Sequence, residues 1–165
     1  MPGPGAPTPS YERIAEQIKS QAQEKQAQVR EAVSKTEQGI EQLQQKATAI
    51  KKAINNIKSA IAQLQAQAQK NPQIRSHPTY QKRMSAYQSK LKEYQNALSQ
   101  TERQLEMLRT RRTMYRNTLI KIAGQAAAQL AKVRQRFDAQ RQQQQAAQQQ
   151  QRKKAAKAES GKVRG

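Results

Sequence analysis

The stretch KNPQIRSHP, from Lys70 to Pro78, contains the only two prolines beyond residue 10. A proline disfavours helical geometry at the residue before it, so Asn71 and His77 are expected to lie outside helices. Pro78 itself suits the first turn of a new helix. The stretch therefore predicts a break at residues 71–78 in a chain that is otherwise composed for helix formation.

The segment before the break, residues 11–70, carries apolar residues spaced alternately by four and three. This heptad spacing forms an apolar stripe, or seam, along a helix and favours packing against a second helix. Ile14 and Ile18 lie one position out of phase and Lys19 falls at a seam position, which predicts a stutter near residue 20. The seam residues are Val29, Val33, Thr36, Ile40, Leu43, Ala47, Ile50, Ile54, Ile57, Ile61, Leu64 and Ala68.

The segment after the break repeats the pattern and predicts a second helix over residues 79–140. A phase slip near Gly124 is followed by three further seam residues, Leu130, Val133 and Phe137. Before the slip, the seam consists of Tyr80, Met84, Tyr87, Leu91, Tyr94, Leu98, Thr101, Leu105, Leu108, Arg112, Tyr115, Leu119, Ile122 and Ala126.

The two ends of the chain carry no seam. Residues 1–10 include four prolines and two glycines, which predicts a flexible arm in which Thr8 or Ser10 can cap the first helix. Residues 141–165 are rich in Gln and basic residues and have no apolar face to bury. We therefore expect a mobile basic tail in which any helix frays.

Composition agrees with a helical fold. The 165 residues include 31 Gln and 25 Ala, both good helix formers, whereas only 35% of the chain is hydrophobic. β-branched and aromatic residues are too sparse for a sheet. The predicted fold class is all-α: a long antiparallel two-helix coiled-coil hairpin with a disordered Pro-rich N-terminal arm and a basic Gln-rich C-terminal tail.

Charges favour an internal hairpin over pairing between chains. If the chain folds back at the break into an antiparallel hairpin, the numbers of two residues that face each other sum to about 148. Residues 107–137, with eight bases and no acid, then face the segment that holds the six acids of the first 92 residues. Residues 42–92 carry ten bases and no acid, and in this arrangement Lys46, Lys51, Lys52 and Lys58 lie opposite Glu93, Glu102 and Glu106. Opposite flanking charges set partner and orientation in coiled coils.

The segment EMLRTRRTMYR, Glu106 to Arg116, is accordingly interpreted mainly as a pairing surface, with a polyanion site as the alternative. Arg112 faces the Thr36–Glu37 step, while Arg109, Arg111 and Arg116 are expected near Glu41, Glu37 and Glu31 respectively. The predicted interhelical pairing set is Glu31, Glu37, Glu41, Arg109, Arg111, Arg112 and Arg116.

The remaining positive charge predicts a polyanionic partner. The net charge is +20 and the isoelectric point is about 10.7. Four candidate polyanion-binding residues surround the break and seven lie in the tail, where counterion release needs no fixed geometry. They are Lys70, Arg75, Lys82, Arg83, Arg141, Arg152, Lys153, Lys154, Lys157, Lys162 and Arg164.

Catalytic and metal chemistry find no support in the sequence. There is no Cys, one Asp and one His, and His77 is interpreted as a loop residue without metal-ligand neighbours. We therefore expect a protein that is not an enzyme and that has no cofactor. Neither a signal peptide nor a transmembrane segment is predicted, and the expected location is the cytoplasm or a virion.

Three functions are compatible with these features. The first is a structural component of a nucleoprotein or virion-type assembly that binds nucleic acid nonspecifically. The second is a coiled-coil stalk or adaptor that engages an acidic protein ring. The third and least favoured is a helical membrane-surface protein, because the outer faces are Gln and Ala rather than bulky apolar residues. Oligomerisation stays open, since a seam can also pair between chains.

Two general likenesses accompany these hypotheses. The basic hairpin outline is similar to the small coiled-coil stalk proteins of flagellar and type III export, although those are rich in Glu and Arg. The Gln- and Ala-rich, basic, cysteine-free composition resembles that of internal structural proteins of bacterial viruses.

Overall fold

A computed structural model describes residues 10–163, and within that range the fold is the predicted all-α helical hairpin. Helix α1 spans Tyr11–Lys70, the bounds expected from the sequence. A short 3₁₀ helix follows at Pro72–Ser76, and helix α2 spans Pro78–Val163. No strand occurs in the described range. The predicted arm, apart from Ser10, lies outside the described residues.

Local hydrogen bonds define where the helices begin. The Ser10 hydroxyl Oγ accepts a hydrogen bond from the Arg13 amide at 3.3 Å, so Ser10 caps α1, one of the two residues expected to do so. At the start of α2, the His77 imidazole Nδ1 accepts from the Thr79 amide at 3.2 Å. His77, expected to be only a loop residue, therefore also acts as the cap of α2, and Pro78 occupies the first helical position.

The end of α2 differs from the prediction. The sequence places the end of the second helix at residue 140, whereas α2 continues to Val163. Gln, Ala, Lys and Arg all favour helix, and no proline interrupts this segment, so local propensity extends the helix beyond its last buried residue. All side chains from Arg141 to Gly161 are exposed, as expected for a segment without a seam.

The chain divides into two compact units. The loop unit comprises Arg30–Asn117 and includes the break between the helices. Its core is built from the buried residues Ile40, Ala47 and Leu105, with Leu43, Leu98 and Leu108 packed against them. Every predicted seam residue in this unit is buried or partly buried, which confirms the heptad pattern.

The terminal unit comprises Met1–Val29 with Thr118–Gly165. Ala15 is the one buried hydrophobic residue in its described part. Near the start of α1, the Tyr11 and Phe137 rings meet edge to face, with centroids 5.8 Å apart. Little apolar surface is therefore removed from water in this unit.

Both predicted phase slips occur in the terminal unit, and they lie opposite each other. Partly buried residues recur every fourth position at Ile18, Ala22 and Gln26 on α1, and at Ile122, Ala126 and Leu130 on α2. Four of these six, all but Gln26 and Leu130, line one shallow cavity together with Gln21, Lys25, Gln125 and Gln129: Ile18, Ala22, Ile122 and Ala126. Lys19, which the sequence places in the seam, is exposed because the stutter brings Ile18 inward.

Each unit has the expected antiparallel register. In the terminal unit, the numbers of the stacked residues Tyr11 and Phe137 sum to 148. In the loop unit, a Cβ built on Gly39 would lie 3.1 Å from Leu108 Cδ1, and these two numbers sum to 147. The glycine therefore marks a close approach of α1 to the Leu108 side chain.

Candidate polyanion interface

One ion pair joins the two helices within the described range. Arg116 Nη2 donates to Glu37 Oε1 at 3.1 Å, and both side chains are about half exposed. The expected partner of Arg116 was Glu31, which instead pairs with Lys35 on its own helix at 3.6 Å. Side chains lean toward the N-terminus of their own helix, so in an antiparallel pair Arg116 and Glu37 lean toward each other.

The other members of the predicted pairing set form no ion pair in the part of the chain that the structure describes. Arg109, Arg111 and Glu41 are exposed on the surface of the loop unit. Arg112 occupies its predicted seam position and is partly buried. Its Nε is buried without a hydrogen-bond partner among these residues. The Thr36 hydroxyl, expected to face it, donates instead to the Ala32 carbonyl at 2.8 Å.

The four predicted tip residues lie around the break and are all exposed. Lys70 ends α1, Arg75 lies in the 3₁₀ helix, and Lys82 and Arg83 lie near the start of α2. The first turn of α2 contains no acid. Since a helix N-terminus carries partial positive charge, Lys82 and Arg83 add to the positive potential there.

The exposed positive surface of the loop unit is larger than the predicted tip. Lys46, Lys51, Lys52 and Lys58 are exposed, and none of them forms an ion pair with a described residue. These lysines were expected opposite Glu93, Glu102 and Glu106 and were therefore not among the predicted polyanion-binding residues. The run of ten bases without an acid over residues 42–92 is the signal that could have included them.

The tail residues share a helical surface. Arg141, Arg152, Lys153, Lys154 and Lys157 are exposed along α2, and none is paired with a described acid. Three of the lysines line a shallow surface with neutral residues: Gln150, Lys153, Lys154, Ala156, Lys157 and Ser160. The side chain of Lys162 and the whole of Arg164 lie outside what the structure describes.

Metal-binding clusters and membrane spans are both absent from the described residues. No group of three or more His, Asp or Glu side chains is arranged to hold a metal ion. No helix combines the length and the apolar character needed to cross a membrane.

Comparison with known proteins adds no relative. No family model, curated protein or solved structure matches the chain.

Proposed function

We propose that the chain is a non-enzymatic helical-hairpin protein that binds nucleic acid nonspecifically through the phosphate backbone, as a component of a nucleoprotein or virion-type assembly. The tip of the loop unit and the helical tail are its contact regions. Specific base recognition is not part of this proposal, because no known base-reading motif occurs in the sequence.

The observation that carries the proposal is the uncompensated charge of residues 42–92. Ten basic residues lie in this range with no acid, and none forms an ion pair with a described residue. A surface of this kind retains mobile counterions in solution. Their release on contact with phosphates is the main driving force for nonspecific binding to nucleic acid.

The tail supports the same function. Residues 141–165 hold seven bases and Glu159 as the single acid, for a net charge of +6. The described side chains of this segment are exposed through Gly161 and pack against no core. Its sequence therefore has no evident structural task that would explain the lysines and arginines.

The test is salt-dependent binding of the full chain and a tail-deleted chain to DNA and RNA. Deleting residues 141–165 should weaken binding and make the plot of log affinity against log salt shallower, by up to about six because each phosphate contact contributes about 0.9. Both the full chain and the tail-deleted chain should show little preference among nucleic-acid sequences.

A charge-only control separates electrostatics from helix length. Replacing the seven tail bases with Gln keeps a good helix former at each position and should reproduce the effect of the deletion. Unchanged affinity and slope in both variants would remove the tail from the interface. Absence of binding by the full chain at moderate salt would reject the nucleic-acid function.

A second candidate, an adaptor for an acidic protein, has one specific observation in its favour. Met107 and Met114 are 61% and 62% exposed, and they lie one heptad apart on α2 with Arg111 between them. Apolar anchors beside a base suit an acidic amphipathic helix. Replacing both methionines with Gln should abolish binding of such a partner and leave DNA binding unchanged.

A further inference from the structure

The seam of the loop unit has two different flanks. Seam residues come in pairs three positions apart, such as Ile40 and Leu43. The residue before each pair lies on one side of the seam, and the residue after each pair lies on the other. Because the helices are antiparallel, residues that follow the pairs on both helices share one flank. The observed pair Arg116–Glu37 is of this kind.

We call the side formed by the residues that follow the pairs the pairing flank, since it holds the ion pair. Its two carboxylates both have a base at the corresponding level. Glu37 pairs with Arg116, and the same register places Glu102 level with Lys51. The pairing flank contains Glu37, Gln44, Lys51 and Lys58 on α1, and Gln95, Glu102, Arg109 and Arg116 on α2.

The opposite side, which we call the basic flank, holds bases and no acid. It contains Ala32, Gly39, Lys46, Ala53 and Ala60 on α1, and Arg83, Lys90, Ala97, Gln104 and Arg111 on α2. Its four bases are exposed, whereas its alanines and Gly39 are partly buried. One carboxylate borders the flank, Glu93, and it forms no ion pair with Lys90.

Each base of the basic flank faces an uncharged residue of the other helix. In the observed register, in which facing residue numbers sum to about 148, the nearest residue of this flank is Ala60 for Lys90, Gly39 for Arg111, Gln104 for Lys46 and Gln67 for Arg83. None of these positions can offer a carboxylate. The bases of this flank therefore stay uncompensated, in contrast to Arg116 on the pairing flank.

We propose that the basic flank is the surface along which a nucleic-acid backbone lies on the loop unit. This inference rests on the proposed function and assigns it to one side of the hairpin. Successive bases such as Arg83 and Lys90 are one heptad apart, or about 10 Å along the axis. Lys46 and Arg111 continue the row at wider intervals. Single cations spaced along one flank suit an extended polyanion, and the alanines and Gly39 between them allow a phosphate backbone to approach closely.

The experiment compares two double variants that remove the same charge from the two flanks, with Lys90 and Lys58 at the same level. Arg83→Gln/Lys90→Gln alters the basic flank, and Lys51→Gln/Lys58→Gln alters the pairing flank. All four side chains are exposed, and each pair is one heptad apart. Fluorescence anisotropy with labelled single-stranded and duplex DNA, over a series of salt concentrations, gives the affinity and the salt slope.

The basic-flank variant should bind DNA about 5- to 20-fold more weakly, with a slope reduced by about two. The pairing-flank variant should lose less than about threefold, because it lowers the net charge by the same amount but keeps every base of the basic flank. Equal losses in the two variants would overturn the assignment to one flank while leaving nonspecific binding intact. Selective loss of binding to a poly-glutamate peptide, with DNA binding unchanged, would assign the flank to an acidic protein instead.

Discussion

Arg112 places a guanidinium in a seam that is otherwise apolar or small. Its Nε is buried and has no hydrogen-bond partner within the described range, and such a group costs about 1–3 kcal/mol. Neighbouring bases on the surface carry no such cost, because water solvates them. The residue therefore reduces the stability of the seam that it belongs to.

Arg112→Leu should raise the free energy of unfolding by about 1–3 kcal/mol, since it removes the unpaired polar group and adds apolar burial. Urea denaturation followed by circular dichroism measures this change. Arg103→Leu, at an exposed position of the same helix, is the control and should stay within about 0.5 kcal/mol of the parent chain. A destabilised Arg112→Leu variant would show that the guanidinium makes a stabilising contact.

Two helical glycines have different surroundings and should respond differently to alanine. A Cβ at Gly124 would meet no atom within 4 Å, so Gly124→Ala should stabilise the chain by about 0.5–1 kcal/mol through helix propensity. A Cβ at Gly39 would lie 3.1 Å from Leu108 Cδ1, so in Gly39→Ala the Leu108 side chain must move. The cost of this movement offsets the gain in helix propensity. Thermal unfolding of both variants checks the difference. An equal gain would mean that the Leu108 side chain moves freely.

At the scale of the helices, the ion pair Arg116–Glu37 sets relative position more than stability. Both side chains are about half exposed, so solvent screens the interaction to about 0.5 kcal/mol or less. The seam supplies the apolar burial that holds the helices together, but a heptad repeat alone permits pairing at several registers. A charge pair that forms at one register favours that register over its alternatives.

A double-mutant cycle tests this pair. Glu37→Arg places two arginines together and should destabilise the chain by about 0.5–1 kcal/mol, and adding Arg116→Glu should restore most of the loss. Urea denaturation of the four chains gives the coupling energy. Glu31→Arg is the matched control, because Glu31 pairs with Lys35 on α1 and should show no coupling to Arg116. Coupling to Glu31 instead would support the partner of Arg116 expected from the sequence.

At the scale of the whole molecule, buried residues are distributed unevenly between the two units. The loop unit contains eight of the buried residues: Thr36, Ile40, Ala47, Ile54, Leu64, Ala68, Thr101 and Leu105. In the described part of the terminal unit, Ala15 alone is buried. Local stability follows the apolar area removed from water, so the two units should open with different free energies.

Hydrogen exchange should therefore be slow from Ile40 to Leu64 and fast in residues 11–29 and 118–140. Mass spectrometry of peptides from the free protein measures both regions in one experiment. Adding DNA should protect the tip and tail but leave the exchange of residues 11–29 nearly unchanged. Equal protection of both units in the free protein would indicate that another chain covers the terminal unit.

The sequence by itself determined the two helices, the break, the seam and both phase slips. These features depend on local rules: proline geometry at Pro72 and Pro78, and a heptad period that is read along a single helix. The predicted stutters near residue 20 and Gly124 follow from the same period. Local propensity also explains the end of α2 at Val163, because the helix continues beyond Phe137 without a seam.

Only the tertiary structure decided which side chains meet across the seam. The predicted partner of Arg116 was wrong because facing residue numbers describe backbone levels, whereas the tips of long side chains lean along their helices. Heptad positions assign residues to the two flanks, but the same lean decides that the ion pair on the pairing flank forms between Glu37 and Arg116. These outcomes depend on distances between helices, which no single-helix pattern contains.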